Sequence, residues 1–316
     1  MSVKNYKDFT VGILVLIALA VISALPMALL SLVAFALSAA IIGYMTTRFP
    51  LGYLLLGLFS YFVIYYLTAG NLLSATVTVL PVVLCGISFG IGYNVRLSPM
   101  KMIAIGTSVV SLCIVANLKL LTELSGENIF LTTMETVKNV YESLFSEVAS
   151  TAITQDELKS YVSEIITTLV RFFPSFIIIA CFIYAIFVYY TFKRLCMMRK
   201  VDLQGLESFS EWRAEKSIAV IYFAVVAISF VFSKQSLVAD VVLNIDMIMT
   251  FVFFVYGLSL LEHIFKKVIQ KSGIRKMLIT FIAFISLFTG GLFFLVLSIA
   301  GAMDAFLDYR HRKTSH

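Results

Sequence analysis

Polar residues inside apolar runs are the first candidates for chemistry in this chain. Asn117, Asn244 and Asp246 each lie in such a run, and Tyr256 follows in the same run as Asp246. Burying amide or carboxylate groups in lipid is costly, so such residues tend to face a cavity or each other. The pattern predicts a small-solute or ion site lined by these four residues, and hydrogen bonding between helices is the alternative.

Catalytic motifs are incomplete in this sequence. Gly257-Leu258-Ser259-Leu260 lacks the last glycine of the GxSG serine site of intramembrane proteases, and the nearby His263 follows on the same helix. Gly301 and Asp304 do not form the GxGD motif, which also requires a second aspartate deep in another span. The chain has three histidines and no HExxH zinc motif. We expect neither an enzyme nor a cofactor or metal site.

Three glycines within residues 86–92 pose a choice between a phosphate loop and a packing face. A dinucleotide site requires G-x-G-x-x-G between a strand and a helix, whereas this segment ends an apolar run and lacks the third glycine. The spacing of Gly86 and Gly90 instead lets a second helix backbone approach closely. Ala20 and Ala24 have the same spacing in the first apolar run. We interpret both pairs as helix-packing sites within the protein, with docking of a partner as the alternative.

The composition indicates whether this chain lies in water or in lipid. Apolar residues make up 60% of its 316 residues and charged residues 13%, with a mean hydropathy of +0.99, which indicates an integral membrane protein. The net charge of +6 lies in short loops between apolar runs, which favours lipid headgroups over nucleic acid as its partner.

Nine apolar runs are candidates for spans across about 30 Å of hydrocarbon. No strand-like alternation competes with them, so we predict an all-α polytopic transmembrane bundle of eight or nine spans. The last run is either one crossing or two segments broken at Thr289-Gly290-Gly291. The runs cover residues 9–24, 27–44, 51–68, 72–93, 102–121, 172–192, 217–233, 241–262 and 277–302.

Charged loops predict the orientation in the cell membrane. Basic residues concentrate in the N-terminal segment and in loops 193–216 and 263–276, whereas segment 123–170 is acidic. Because cytoplasmic loops collect Lys and Arg, the N-terminus is expected in the cytoplasm and the acidic segment outside. Nine crossings would put the basic C-terminal tail outside, so the side of the C-terminus stays open.

The acidic segment has helical periodicity in two parts. Apolar residues recur three or four apart from Ile129 to Val148 and again after Thr154. Thr154 to Glu157 has a capping-box pattern, and Pro174 is expected to begin the sixth span. The expectation is an extracytoplasmic amphipathic hairpin turning near Ser150-Thr151. The predicted divisions are an N-terminal five-span half, this hairpin and the C-terminal spans, at 1–122, 123–171 and 172–316.

Three motifs carry a resemblance to a known family. Residues 209–213 (FSEWR), 244–257 (NIDMIMTFVFFVYG) and 301–310 (GAMDAFLDYR) together resemble the YybS-like family of uncharacterised bacterial multi-pass membrane proteins. In layout, the first six spans are also distantly similar to the substrate-binding subunits of energy-coupling-factor importers. That resemblance implies solute capture outside the cell and docking to a membrane partner through small residues such as Ala20 and Ala24.

Two functions follow as hypotheses. The first is a non-enzymatic membrane subunit that binds a small molecule entering from the outer side, or transports it with help from a partner. The alternative is a scaffold or regulatory subunit whose loops 193–216 and 263–276 dock a cytoplasmic protein. The identity of the solute and of any partner is not encoded in these motifs.

Overall fold

The computed structural model describes residues 3–148, 155–198, 205–231, 236–288, 291–307 and 309–310. All regular structure in these ranges is helical, as predicted, and one short 3-10 turn at Phe209–Glu211 accompanies the α-helices. The α-helices of the described residues are α1 Val3–Ser23, α2 Ala28–Arg48, α3 Leu51–Ala69, α4 Leu72–Asn94, α5 Pro99–Ser125, α6 Ile129–Val148, α7 Gln155–Met198, α8 Lys216–Val231, α9 Leu237–Val268, α10 Ser272–Phe288 and α11 Leu292–Leu307.

Several helices match the dimensions of a membrane. Among the described residues, six are at least 18 residues long and apolar enough to cross: α2, α3, α4, α5, α9 and residues 160–198 of α7. The helices α8 and α11 are apolar but shorter. The fold is that of a multi-pass helical membrane protein, and the count of eight or nine crossings stays a prediction.

The helix α7 corrects the predicted start of the sixth span. It is a single helix of 44 residues with Pro174 in its interior, so the predicted helix boundary at Pro174 is wrong, while residues 172–192 lie within a candidate span. At 1.5 Å per residue it measures about 66 Å, twice the hydrocarbon thickness. Proline is tolerated there because other groups satisfy the backbone that it frees.

The last apolar run is also divided differently from a single crossing. Residues 277–302 belong to two helices, α10 and α11, so one continuous span there is wrong. The break includes Gly291, whose φ of +89° is one that L side chains rarely adopt. This is the break that the alternative interpretation places at residues 289–291, of which 289 and 290 lie outside the described residues.

The predicted acidic hairpin is described only in part. The helix α6 spans Ile129–Val148, which confirms the helix predicted from the spacing of apolar residues in this range. The predicted turn at Ser150-Thr151 and the capping residue Thr154 lie outside the described residues. The extracytoplasmic position of this segment stays a prediction.

The chain forms two compact units. The first comprises Met1–Ser163 and Ala180–Gly205, and the second comprises Glu164–Ile179 and Leu206–His316. In the first unit, α2 packs on α1 and α4, and α4 packs on α5. In the second unit, α9 is the central helix and contacts α8, α10, α11 and the 3-10 turn.

Candidate functional site

Asn117 joins two helices of the first unit beside a proline. Its side-chain amide on α5 donates a hydrogen bond of 2.7 Å to the carbonyl of Val77 on α4. In a regular helix that carbonyl would accept from the N–H four residues later, but position 81 is proline and has no N–H. Asn117 therefore supplies the donor that Pro81 lacks.

A cavity of about 360 Å³ opens beside this hydrogen bond. Its volume is within the range of about 300–1,000 Å³ usual for ligand sites, at the small end. The lining is almost wholly apolar and carries no charged side chain. It comprises Leu32, Phe35, Val77, Thr78, Pro81, Val82, Val110, Ile114, Asn117, Leu118, Leu121, Ala180, Cys181 and Tyr184.

Tyr184 lines this cavity and has a buried hydroxyl group. This hydroxyl has no hydrogen-bond partner among the described residues. Most buried polar groups are paired, so each unpaired one requires an explanation, such as a ligand or water. Sequence reasoning missed Tyr184 because an aromatic residue in an apolar run resembles ordinary packing.

The predicted packing residues of the first unit lie at or near close helix contacts. A Cβ added to Gly86 would lie 2.5 Å from the Ala39 carbonyl oxygen, and one added to Gly90 would clash with Thr46. Both contacts join α4 to α2, where close approach requires glycine. Ala20 is fully buried on α1, whereas Ala24 is partly buried and follows the end of that helix.

Asn244 binds the backbone of a neighbouring helix in the second unit. Its Oδ1 accepts from the Ser175 N–H at 2.9 Å, and its Nδ2 donates to the Arg171 carbonyl at 2.9 Å. A regular helix would pair these two groups of α7 with each other, one residue beyond Pro174. Asn244 thus provides partners for both beside the proline, and Arg171 also pairs with Asp240 at 2.5 Å.

Asp246 and Tyr256 lie further along α9. The Thr250 hydroxyl donates to Asp246 at 3.4 Å, and it lies 3.5 Å from the Tyr222 hydroxyl. Tyr256 is partly buried, with its ring 5.8 Å from that of Phe253. These residues and Asn244 belong to the second unit, while Asn117 and its cavity belong to the first.

A buried ion pair that sequence reasoning did not predict lies at the other end of α9. Arg310 donates to Asp304 at 2.7 Å, and the two side chains are 4% and 1% exposed. Arg310 also donates to the carbonyls of Ser210 at 2.7 Å and Trp212 at 2.8 Å. The signal was Asp304 itself, because a carboxylate within an apolar run requires a partner.

The two motifs rejected as catalytic lie together around this pair. Ser259 is fully buried, contacts the carbonyls of Phe209 and Trp212, and accepts from Arg310 at 3.1 Å. The Ser259 hydroxyl therefore holds residues 209–212 in place. A Cβ added to Gly301 would overlap the α9 backbone at Phe253 and Gly257, so α9 and α11 cross backbone to backbone.

These features define the class of the protein: a multi-pass helical membrane protein with polar pairs buried between its helices. The family model described as "Predicted membrane protein (DUF2232)" matches residues 12–305, and the chain belongs to that family. No curated protein matches the chain. No solved structure matches it either.

Proposed function

We propose that the first unit binds a small, uncharged, largely apolar molecule in the cavity beside Asn117. The chain would then be a non-enzymatic binding or transport subunit of the cell membrane. The observation that carries this proposal is the 360 Å³ cavity, whose lining includes Tyr184, a residue with a buried hydroxyl that has no partner among the described residues.

The lining selects the chemistry of the ligand. A metal ion or an ionic solute would lose its hydration without gaining an opposite charge, because the lining has no charged side chain. A hydrocarbon body matches the leucine, isoleucine and valine surfaces.

The orientation proposed for the chain places this site in the outer half of the membrane. With a cytoplasmic N-terminus, α4 begins outside and α5 ends outside. The lining takes residues 77–82 from the first half of α4 and residues 110–121 mainly from the second half of α5. Capture from the outer side agrees with the resemblance to importer subunits, and a partner protein would supply the energy.

Native mass spectrometry of the purified protein tests this proposal. Ile114 lines the cavity, whereas the adjacent Val115 is 56% exposed and does not line it. We expect a copurified small molecule on the wild type and on Val115→Trp, and its loss from Ile114→Trp, which fills the cavity. Equal occupancy in the two tryptophan variants, or no adduct on the wild type at all, would contradict the proposal.

A second function, docking of a cytoplasmic protein, is favoured by the segment before α8. Here buried and exposed residues alternate: Ser210, Trp212 and Ala214 are buried, and Glu211, Arg213 and Glu215 are exposed. The hydrogen bonds from Arg310 to Ser210 and Trp212 hold this segment in place. It thus presents three charged side chains on one edge.

Changing exposed residues of this edge to alanine tests docking more sharply than replacing the whole loop. Replacement of residues 193–216 would also remove Trp212, which is buried. Photo-crosslinking from position 211 in intact cells should yield a specific partner band that the Arg213→Ala, Glu215→Ala double variant weakens. A crosslinking pattern unaffected by the two substitutions would exclude docking at this edge.

A further inference from the structure

We propose that Asp246 is a reversible proton-binding site in the second unit. The inference does not depend on the solute site, which lies in the first unit and uses none of the same residues. It concerns a carboxylate that forms an ion pair with no Lys or Arg of the described ranges.

Asp246 lies further from the ends of α9 than the other acidic residues of that helix, Asp240 and Glu262. It follows Asp240, which pairs with Arg171, by six residues, or about 9 Å of helix. It precedes Glu262, which pairs with Arg275, by 16 residues, or about 24 Å. Between Asp240 and Glu262 it is the single charged residue of α9. Ionisable residues in such apolar sections commonly serve ion or proton pathways.

The groups beside Asp246 are hydroxyls. Thr250 contacts its Oδ1 at 3.4 Å, and the Tyr222 hydroxyl lies 3.5 Å from that of Thr250. The Tyr222 ring stacks on Phe253 with centroids 4.5 Å apart, which holds this hydroxyl in position. Asp246, Thr250 and Tyr222 form a short row of three oxygen groups joining α9 to α8, and Ser229 of α8 is a second hydroxyl partner of Asp246.

The charged groups of the packed helices are committed elsewhere or lie at helix ends. In addition to Tyr222, α8 contributes Lys216, which is its first residue. The helix α10 contributes Lys276 near its start. The described ion pairs of the surrounding helices are Arg171 with Asp240, Arg275 with Glu262, and Arg310 with Asp304. Among the described residues, no Lys or Arg pairs with Asp246.

A proton is the partner that this environment leaves for the carboxylate. Asp246 is partly buried, and a carboxylate that is withdrawn from water without a paired cation favours its neutral, protonated form. The step forms one O–H bond on Asp246, with the proton coming from water and returning to it as the pH rises. The protonated carboxyl donates to the Thr250 hydroxyl, which is free to donate towards Tyr222. The site then changes between neutral and negative within the second unit.

Infrared difference spectroscopy of the full chain in lipid nanodiscs tests the proposal. On acidification we expect a carbonyl stretch of a protonated carboxyl in the wild type, absent in Asp246→Asn and retained in Asp240→Asn. The Thr250→Val variant keeps Asp246 and should move the band to higher frequency, because the carboxyl loses one of its two hydroxyl partners, Thr250 and Ser229. This second variant serves if Asp246→Asn does not fold. A band that is unchanged in both Asp246→Asn and Thr250→Val overturns the proposal.

Discussion

The side-chain amide of Asn117 on α5 donates to the Val77 carbonyl on α4 at 2.7 Å, the carbonyl that Pro81 leaves without its helical donor. The carbonyl that the proline leaves without a donor and the polar side chain on the next helix therefore satisfy each other's hydrogen-bonding capacity. In lipid no water is present to satisfy either group. The same contact lies at the edge of the cavity, so it also shapes the wall of the proposed site.

The first prediction concerns this pair. Asn117→Leu should lower the free energy of unfolding by about 1–3 kcal/mol, the cost of a buried carbonyl left unpaired. In a Pro81→Ala background the cost should shrink, because the substituted alanine has the N–H that a helix directs at Val77. Unfolding in mixed micelles, followed by circular dichroism, measures both. Equal losses with and without Pro81 would show that the hydrogen bond to Val77 is not the source of the stability.

The second prediction concerns the crossing of α9 and α11. Gly301→Ala places a methyl group against backbone atoms of Phe253 and Gly257, which cannot move as a side chain can. We expect a loss at or above the upper end of the about 1–3 kcal/mol typical of overpacking. Gly273→Ala is the matched control, because no atom lies within 4 Å of a Cβ built there. A neutral result for Gly301→Ala in thermal unfolding would contradict the backbone contact.

The third prediction concerns the buried pair of Arg310 and Asp304. Removing one partner leaves a buried charge, so Arg310→Gln should cost about 3–5 kcal/mol in unfolding free energy. The double variant with Asp304→Asn should cost less than the sum of the single variants. Coupling near zero in that cycle would argue against the pair as a stabilising unit.

Trypsin offers an independent measurement of the same network. Arg310 holds the carbonyls of Ser210 and Trp212, so Arg310→Gln should speed cleavage after the exposed Arg213. Lys266→Gln is a suitable control, because Lys266 is an exposed residue near the end of α9. If Arg213 is cleaved equally in the two variants, Arg310 does not fix this segment.

Local patterns predicted most of the helices because each is encoded by its own residues. The hydrophobic runs placed α2, α3 and α4 within a few residues of their ends, and the spacing of apolar residues located α6. The same patterns failed at Pro174, and they left the break around Gly291 as one of two alternatives. Whether a proline ends a helix or stays inside it depends on neighbours that supply partners for its freed backbone.

The polar site residues could be identified from the sequence, but their hydrogen-bond partners could not. Composition and hydropathy alone place this chain in a membrane and single out Asn117, Asn244 and Asp246, because polar groups in apolar runs are conspicuous in any single segment. Their contacts required the folded chain: Val77 lies 40 residues from Asn117, and Arg171 lies 73 residues from Asn244. Hydropathy and periodicity are properties of neighbouring residues, whereas a hydrogen bond between helices exists only once packing has brought those two helices side by side.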